Sequence, residues 1–157
     1  MSTVQWLVML HVTSAFFFVS GSVAAGVLNG LAIRAARPSE TAYLLRLVRT
    51  TLPVIFVGVG GTLVFGIWLW HERHYSIGAF WIWASLVLWA IANALGGIGG
   101  GHQEKARKLA EQLASAGDTQ TDELRAILRD PKGNALSYLA GLATLGILVL
   151  MIWKPGS

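Results

Sequence analysis

Residues 3–33 read TVQWLVMLHVTSAFFFVSGSVAAGVLNGLAI and contain no Asp, Glu, Lys or Arg. About 20 apolar residues suffice to cross a bilayer as an α-helix, because the hydrocarbon core is roughly 30 Å thick. This run is therefore long enough to cross it with a tilt. Its one ionisable side chain is the imidazole of His11. Such a group is costly inside a membrane helix unless it is paired or used, so His11 is the first candidate functional residue.

Three further uncharged runs follow the first one. The chain has 157 residues, of which 54% are hydrophobic and only 13% are charged, whereas a soluble domain has about 25% charged residues. The sequence predicts an all-α fold, an integral membrane four-helix bundle in which residues 1–157 form a single transmembrane domain. The predicted spans are about 4–33, 51–70, 77–98 and 135–153, and a cytoplasmic helical loop covers about 102–134.

The basic residues predict the orientation. Ten of the twelve Lys and Arg residues lie in the connections between spans one and two and between spans three and four. Basic connections stay in the cytoplasm, so both termini are expected outside. The first apolar run also far exceeds the roughly 7–15-residue core of a signal peptide, which predicts a span that is retained.

The two basic connections are predicted to contain short helices. The first connection reads as an amphipathic helix that begins at Ser39, with Pro53 in the first turn of span two. The second reads as a helix from residue 102 that Gly117 ends, then a short helix over 121–129 that Asp130-Pro131 stops. The glycines of residues 96–101 do not form a nucleotide-binding loop, because the Lys-Ser/Thr of such a loop is missing. They are instead expected to loosen the end of span three.

Small residues at four-residue spacing predict close helix packing in every span. Lipid gives no hydrophobic drive for helices to associate, so membrane helices pack where small residues let their backbones approach. The predicted contact residues are Ser22, Gly26 and Gly30 in span one, Gly58, Thr62 and Gly66 in span two, Ala90, Ala94 and Gly96–Gly97 in span three, and Ala140, Gly141 and Thr144 in span four.

Histidines suggest a cofactor site in the outer half of the bundle. At 100° per residue, His11 shares a face with Ser14, Phe18 and Gly21, the smaller and more polar face of span one. His71 and His74 end span two on the same side of the membrane. The hypothesis is that His11 and His71, or His74, ligate haem iron or another metal, since facing helices of a bundle commonly do so.

Further residues support haem binding, and other ligands are possible alternatives to haem. Arg73 and Lys154 lie at the same end and are candidate partners of haem propionates. Copper is the second choice, because no run of Met or His indicates a copper relay. A quinone is a further alternative. The plainer interpretation is that His11 hydrogen-bonds Ser14 or a neighbouring span, while His71 and His74 are interfacial.

Tryptophans crowd the same end of the predicted bundle. Six of the seven fall at or near the outer ends of spans, and Trp89 lies near the middle of span three. Indole rings favour the membrane interface, so the pattern indicates an interfacial belt. An aromatic wall around a cofactor is the alternative interpretation.

Several kinds of chemistry find no support in the sequence. The chain has no Cys, which excludes disulfides, thiolate metal sites and thiol nucleophiles. No Asp or Glu lies within a predicted span, which argues against a carboxylate proton relay. No catalytic residue is assigned, it stays open whether the protein is an enzyme, and no nucleic-acid partner is expected.

Three stretches carry a resemblance to a known family: LHVTSAFFFVSG (10–21), GGTLVFGIWLWHERHYSIGAFWI (60–82) and MIWKPG (151–156). On these, the chain resembles a bacterial family of uncharacterised four-span membrane proteins, a domain of unknown function, which implies the bacterial inner membrane.

More distantly, the chain is similar to the copper-resistance D family and the HemJ-type protoporphyrinogen oxidases. Both families place an early His before an aromatic residue and a Gly, here His11, Phe18 and Gly21, with Phe where those families usually have Trp. The Lys that HemJ-type proteins carry after the third-span Trp is missing from residues 81–84, so only His11 carries over as a ligand candidate.

Together these features predict a membrane protein that binds haem b, or a metal, and has a redox or electron-transfer role. The predicted cofactor-binding residues are His11, His71, His74, Arg73, Phe18 and Gly21, with His11 and His71 as the metal ligands. The alternative is a non-enzymatic accessory or structural subunit of a larger membrane complex. The expected partners are the lipid bilayer and either such a complex or further copies of this chain.

Overall fold

The structure, a computed structural model, describes residues 2–76 and 78–155. Over this part of the chain it contains helices and no strand, which confirms the all-α prediction. The helices are α1 (Thr3–Arg34), α2 (Pro38–Glu72), α3 (Phe80–Ser115), α4 (Asp122–Leu128) and α5 (Pro131–Trp153). The first three, and the segment Asp122–Trp153, are long and apolar enough to cross a membrane. The predicted start of span three, Ile77, lies outside the described residues.

Local signals fix where the helices begin and end. A capping box starts α1, because Gln5 N donates to Ser2 Oγ (3.3 Å) while Ser2 N donates to Gln5 Oε1 (2.9 Å). Gly117, with φ of 116°, follows the end of α3 as predicted. The Thr121 side chain caps α4 by accepting from the backbone N–H of Leu124 (3.3 Å).

Two helices are longer than the sequence pattern indicated. The connection helix expected from Ser39 and span two form one continuous helix, α2, so Pro53 lies inside that helix rather than in its first turn. Likewise α3 runs through the glycines of residues 96–101, which were expected to loosen it. Glycine costs a helix about 1 kcal/mol per residue. Packing of the helix on both sides of these glycines offsets that cost.

The start of α5 also differs from the prediction. Asp130-Pro131 does stop α4, yet the same residues begin α5. The Asp130 carboxylate accepts from the backbone N–H of Lys132 (3.3 Å) and of Gly133 (3.1 Å), and Pro131 occupies the first turn. Proline suits that position because its missing N–H would have had no helical partner.

The helices associate as two pairs. The most extensive contacts join α1 to α2 and α3 to α5, whereas α1 and α5 barely touch. Gly58 lies directly against α1, where an added Cβ would be 2.7 Å from Phe18 Cα. Gly99 lies against α5, where an added Cβ would be 2.9 Å from Ser137 Oγ. Small residues therefore allow the two helices within each pair to approach closely, as predicted.

The predicted set of small contact residues was only partly right. It holds for span two, where Gly58 is buried and Gly66 lies against His11 of α1. It was wrong where added Cβ atoms meet nothing within 4 Å, at Gly26, Gly30, Gly96, Gly97 and Gly141. Four of the five buried small residues of α3 instead lie seven positions apart, at Ser85, Ala92, Gly99 and Ala106, and the fifth is Ala110.

A well-packed core lies at the basic end of the bundle, which we define as residues 34–50 and 102–134. Leu124 and Ala110 are fully buried there. α4 and the end of α3 pack against the end of α1 and the start of α2. The amphipathic pattern of residues 38–50 is thus explained, because its apolar side contributes to this core. The cluster consists of Ala32, Ala42, Leu45, Val48, Ala106, Ala110, Leu124 and Leu128.

Ion pairs between arginine and glutamate side chains connect α2 and α3 at the surface of the same core. Arg107 donates to Glu104 (2.6 and 2.9 Å) and to Glu111 (2.7 Å), and Arg46 of α2 also donates to Glu111 (3.0 Å). The Arg107 guanidinium lowers the pKa of the Glu104 carboxyl, and Arg46, followed by Arg107, lowers that of Glu111. These contacts connect α2 to α3 outside the apolar part of the bundle.

The middle of the bundle exposes large apolar side chains on all its long helices. Examples are Phe16 (68% exposed), Phe56 (69%), Val87 (56%) and Leu142 (62%). A water-soluble protein does not carry such a surface over its whole circumference. The exposed residues form the surface that a lipid bilayer covers.

Candidate ligand-binding cavity

His11 lies on the inward face of α1, as the helical spacing predicted. Thr3 starts the helix, so the imidazole is about 12 Å along it at 1.5 Å per residue. Its Nδ1 lies 3.0 Å from the carbonyl oxygen of Thr62 on α2. Since the carbonyl can only accept, Nδ1 is the protonated nitrogen in this arrangement, and Nε2 is free to act on a ligand.

Gly66 makes room for this contact. An added Cβ at this position would lie 3.0 Å from His11 Cε1 and 3.2 Å from Nδ1. Both distances are shorter than ordinary carbon contacts of about 3.5–4.0 Å. The absence of a side chain at Gly66 thus allows the imidazole to approach the backbone of α2, one turn beyond Thr62.

A cavity of about 90 Å³ adjoins His11 where the two helix pairs meet. All four long helices contribute to its wall. Most of the lining is apolar and aromatic, with a few polar groups among them. The lining residues are His11 of α1; Thr62, Leu63, Gly66, Ile67, Leu69 and Trp70 of α2; Tyr75; Trp81, Ile82, Ser85, Leu86 and Trp89 of α3; and Ile147 and Met151 of α5.

Two indole groups of this wall have unused hydrogen-bond donors. Trp81 is only 5% exposed, and the Nε1 atoms of both Trp81 and Trp89 are buried. Neither nitrogen has an acceptor among the described residues. A buried donor without a partner costs about 1–3 kcal/mol, so such groups in a cavity wall indicate that something else accepts from them.

At one end of the cavity the rings of Tyr75 and Trp81 pack together, and a cation lies near both. Tyr75 and Trp81 meet edge to face, with centroids 5.3 Å apart. The Trp70 indole N–H donates to the Tyr75 carbonyl oxygen (3.0 Å). The Lys154 ammonium lies 5.7 Å from the Tyr75 centroid and 5.6 Å from that of Trp81, both within cation–π range.

The tryptophans fall into two groups in the structure, one at the cavity and one on the surface. Trp70, Trp81 and Trp89 line the cavity. Trp6, Trp68 and Trp83 are each 49% exposed, and Trp153 is 82% exposed, as expected of an interfacial belt.

The other predicted site residues lie elsewhere. His71, Arg73 and His74 are exposed and do not line the cavity, and the rings of His71 and His74 lie 6.4 Å from each other. Phe18 and Gly21 are buried where α1 meets α2, and an added Cβ at Gly21 would be 2.7 Å from Ile55 Cγ1. The structure thus places only His11 of the predicted ligand set at the cavity.

No group of three or more His, Cys, Asp or Glu residues suited to a metal ion occurs within the described part of the chain. Sequence reasoning also missed several cavity residues. Ser85 and Met151 were not predicted, and Thr62 was predicted only as a helix contact, because the contribution of these residues to the cavity depends on which helices become neighbours. Trp89 did give a signal, since its position in mid-span does not fit an interfacial belt.

A bundle of four apolar helices with a lipid-covered surface and an internal cavity defines an integral membrane protein. The chain belongs to the family described as predicted integral membrane protein (DUF2269), whose sequence model matches residues 5–155. This confirms the resemblance to an uncharacterised four-span family. No curated protein and no solved structure matches the chain. The similarity to the copper-resistance D and HemJ-type families therefore stays a prediction.

Proposed function

We propose that this protein has a redox or electron-transfer role in the membrane and binds the headgroup of a quinone at the His11 cavity. The observation that supports this ligand is the pair of buried indole donors, Trp81 Nε1 and Trp89 Nε1, which have no acceptor in the described structure. A quinone carries two carbonyl oxygens on a flat ring. These oxygens accept hydrogen bonds, and the ring suits an aromatic wall.

His11 supplies the complementary function. Because its Nδ1–H donates to Thr62, its Nε2 is an acceptor. The reduced form of the ligand, a quinol, has hydroxyl groups that donate to such an acceptor. The cavity thus offers N–H donors for the oxidised form and an imidazole nitrogen for the reduced form.

The volume of the cavity limits how much of the quinone it can hold. About 90 Å³ equals the space of roughly three water molecules at ~30 Å³ each, so it holds the carbonyl-bearing edge of a ring. The rest of the ring and its isoprenoid tail lie between α1 and α5, which barely touch. A lipid-soluble ligand reaches this gap directly from the bilayer.

Trp81 provides the test of this site. Purified protein is titrated with a short-tailed quinone while tryptophan fluorescence is recorded. Trp81→Phe removes the donor and retains an aromatic ring, and one hydrogen bond of about 1–1.5 kcal/mol predicts a Kd raised roughly 5- to 12-fold. Trp153→Phe is the matched control, because Trp153 is 82% exposed and does not line the cavity. Absence of saturable quenching in the wild type, or equal Kd values in both variants, contradicts the proposal.

Haem b, the ligand expected from the sequence, is the second candidate. It is favoured by the His11–Thr62 hydrogen bond, since metal-ligating histidines usually donate their other N–H in this way. The cavity is smaller than a macrocycle, and His71 and His74 do not reach it. Among the described residues, His11 Nε2 is therefore the group of the predicted ligand set that would hold the haem iron. Bound haem supplies one-electron chemistry.

Copper is the third candidate, because the Met151 thioether lines the same cavity as His11 and both groups suit copper. One purified sample separates the three candidates. A Soret band that His11→Ala abolishes identifies haem, copper by elemental analysis identifies the metal, and an extracted quinone identifies the first proposal.

An accessory role in a larger membrane complex, or in an assembly of several copies, is favoured by different residues. Gly26 and Gly30 of α1 and Gly97 and Gly101 of α3 form i, i+4 pairs whose added Cβ atoms meet nothing within 4 Å. Such pairs let a further helix approach closely. Gly26→Leu with Gly30→Leu is expected to shift the protein on a native gel to a smaller species. An unchanged mass removes this support.

The proposed location is the bacterial inner membrane, with both termini outside. The support is the distribution of charge, since ten of the twelve basic residues lie at the basic end.

A further inference from the structure

A second pocket lies at the basic end, between the end of α1 and α4. Its volume is about 290 Å³, close to the lower limit of about 300 Å³ for small-molecule sites. Three arginines from two separate elements converge on it, together with a floor of small and apolar groups. The lining residues are Ile33, Arg34, Ala35, Ala36, Gln120, Arg125, Leu128 and Arg129.

The positive charge of this pocket is not neutralised by the protein. Arg34, Arg125 and Arg129 are exposed, and none of them forms an ion pair or a side-chain hydrogen bond within the described residues. Other arginines at this end are paired, as Arg46 and Arg107 both contact Glu111. No Asp or Glu lines the pocket, although Glu40 accepts from the backbone N–H of Ala36 at its edge (3.3 Å).

The position of the pocket fits a lipid better than a soluble anion. Arg34 ends α1 directly after the uncharged run of residues 3–33, so it marks the boundary between apolar and polar surface. Leu31, 48% exposed, lies one turn before Arg34 on the lipid-covered side. An acyl chain that follows this surface brings its phosphate to the three guanidinium groups.

Gln120 indicates what the headgroup carries besides its phosphate. The Oε1 atom of Gln120 is buried in the pocket wall without a hydrogen-bond donor in the described structure. A headgroup with hydroxyl groups donates to this oxygen, whereas the trimethylated headgroup of phosphatidylcholine has no such donor.

From these features we infer that the pocket binds the headgroup of an anionic, hydroxyl-bearing phospholipid of the phosphatidylglycerol type. Arg34, Arg125 and Arg129 bind the phosphate, since guanidinium groups match phosphate oxygens in charge and in geometry. Basic pockets beside membrane helices hold anionic headgroups in this way. This site is independent of the cavity at His11 and of its ligand.

The experiment measures lipid retention by the full chain. Protein is purified from nanodiscs of equal phosphatidylglycerol and phosphatidylcholine content, and the lipid that stays bound is identified by native mass spectrometry. The wild type is expected to retain phosphatidylglycerol. Arg125→Gln with Arg129→Gln is expected to lower its affinity about tenfold or more, and Gln120→Ala by about 3- to 10-fold.

Lys105→Gln with Lys132→Gln is the matched control. It removes the same charge from exposed residues of the basic end that do not line the pocket, so it is expected to leave retention unchanged. Thermal unfolding without lipid checks that all variants are folded. Equal retention of the two lipids, or an equal loss in both double variants, overturns the inference, because either result means diffuse attraction. Displacement of the lipid by millimolar inorganic phosphate also overturns it, in favour of a site for free phosphate.

Discussion

Gly58→Ala is expected to destabilise the protein by forcing α1 and α2 apart. The added Cβ would lie 2.7 Å from Phe18 Cα and 2.8 Å from the Ser14 carbonyl oxygen, whereas ordinary contacts begin at 3.4 Å. Both neighbours are backbone atoms and cannot rotate away. The helices must therefore separate by about 0.7 Å or more, and overpacking of this kind costs about 1–3 kcal/mol.

Gly60→Ala is the control, since an added Cβ at Gly60 meets nothing within 4 Å. Both variants gain the same helix propensity of about 1 kcal/mol, so the difference between them isolates the steric effect. At about 2–4 °C per kcal/mol, Gly58→Ala should melt about 2–12 °C below Gly60→Ala. Thermal unfolding in one detergent measures both. Equal melting temperatures would refute the close approach of α1 and α2.

Three further predictions address the site, the basic end and the orientation. Gly66→Ala should weaken quinone binding more than Gly60→Ala does, because its Cβ displaces the His11 ring by a few tenths of an ångström; equal affinities in the titration contradict this. The Asp118 carboxylate accepts hydrogen bonds from the Ser39 side chain and backbone N–H (both 2.7 Å), and these bonds lower the pKa of the carboxyl. Their contribution to stability is therefore present above the usual carboxyl pKa of about 3.9 and is lost as pH falls through the lowered pKa. Asp118→Asn should thus lower the melting temperature at pH 7, and this effect should shrink as acid protonates the carboxylate; an effect that does not decrease with falling pH contradicts the charge argument. A reporter fused after Lys132 should be cytoplasmic and one after Ser157 external, whereas the reverse result overturns the proposed orientation.

The fold and the orientation of His11 were both predictable from the sequence. Uncharged runs longer than about 20 residues have few alternatives to membrane helices. The inward orientation of His11 followed from Ser14, Phe18 and Gly21 at helical spacing, and all three are buried. Such inferences succeed because they use periodicity within one helix, which does not depend on its neighbours.

The remaining features depend on which helices become neighbours. A stripe of glycines looks the same whether it meets another helix or lipid, so Gly26 and Gly30 could not be told apart from Gly58 and Gly66. The continuity of α3 through residues 96–101 reflects the packing of Ala106 and Ala110 in the basic-end core. His71 was proposed as a ligand because it shares a membrane side with His11, yet sharing a side does not bring two groups together.

The two ends of the bundle differ in how their helices pack. At the basic end, fully buried residues such as Leu124 and Ala110 join α4 to the long helices, and Arg46 and Arg107 fasten the surface. At the other end Trp70 of α2 packs against Trp81 and Ile82 of α3, whereas α1 and α5 barely touch, and a cavity lies where the two pairs meet. His11 lies at this cavity because Gly66 lets it approach Thr62. The proposed quinone site lies at this cavity, away from the basic-end core, so ligand binding as we propose it requires no unfolding of that core.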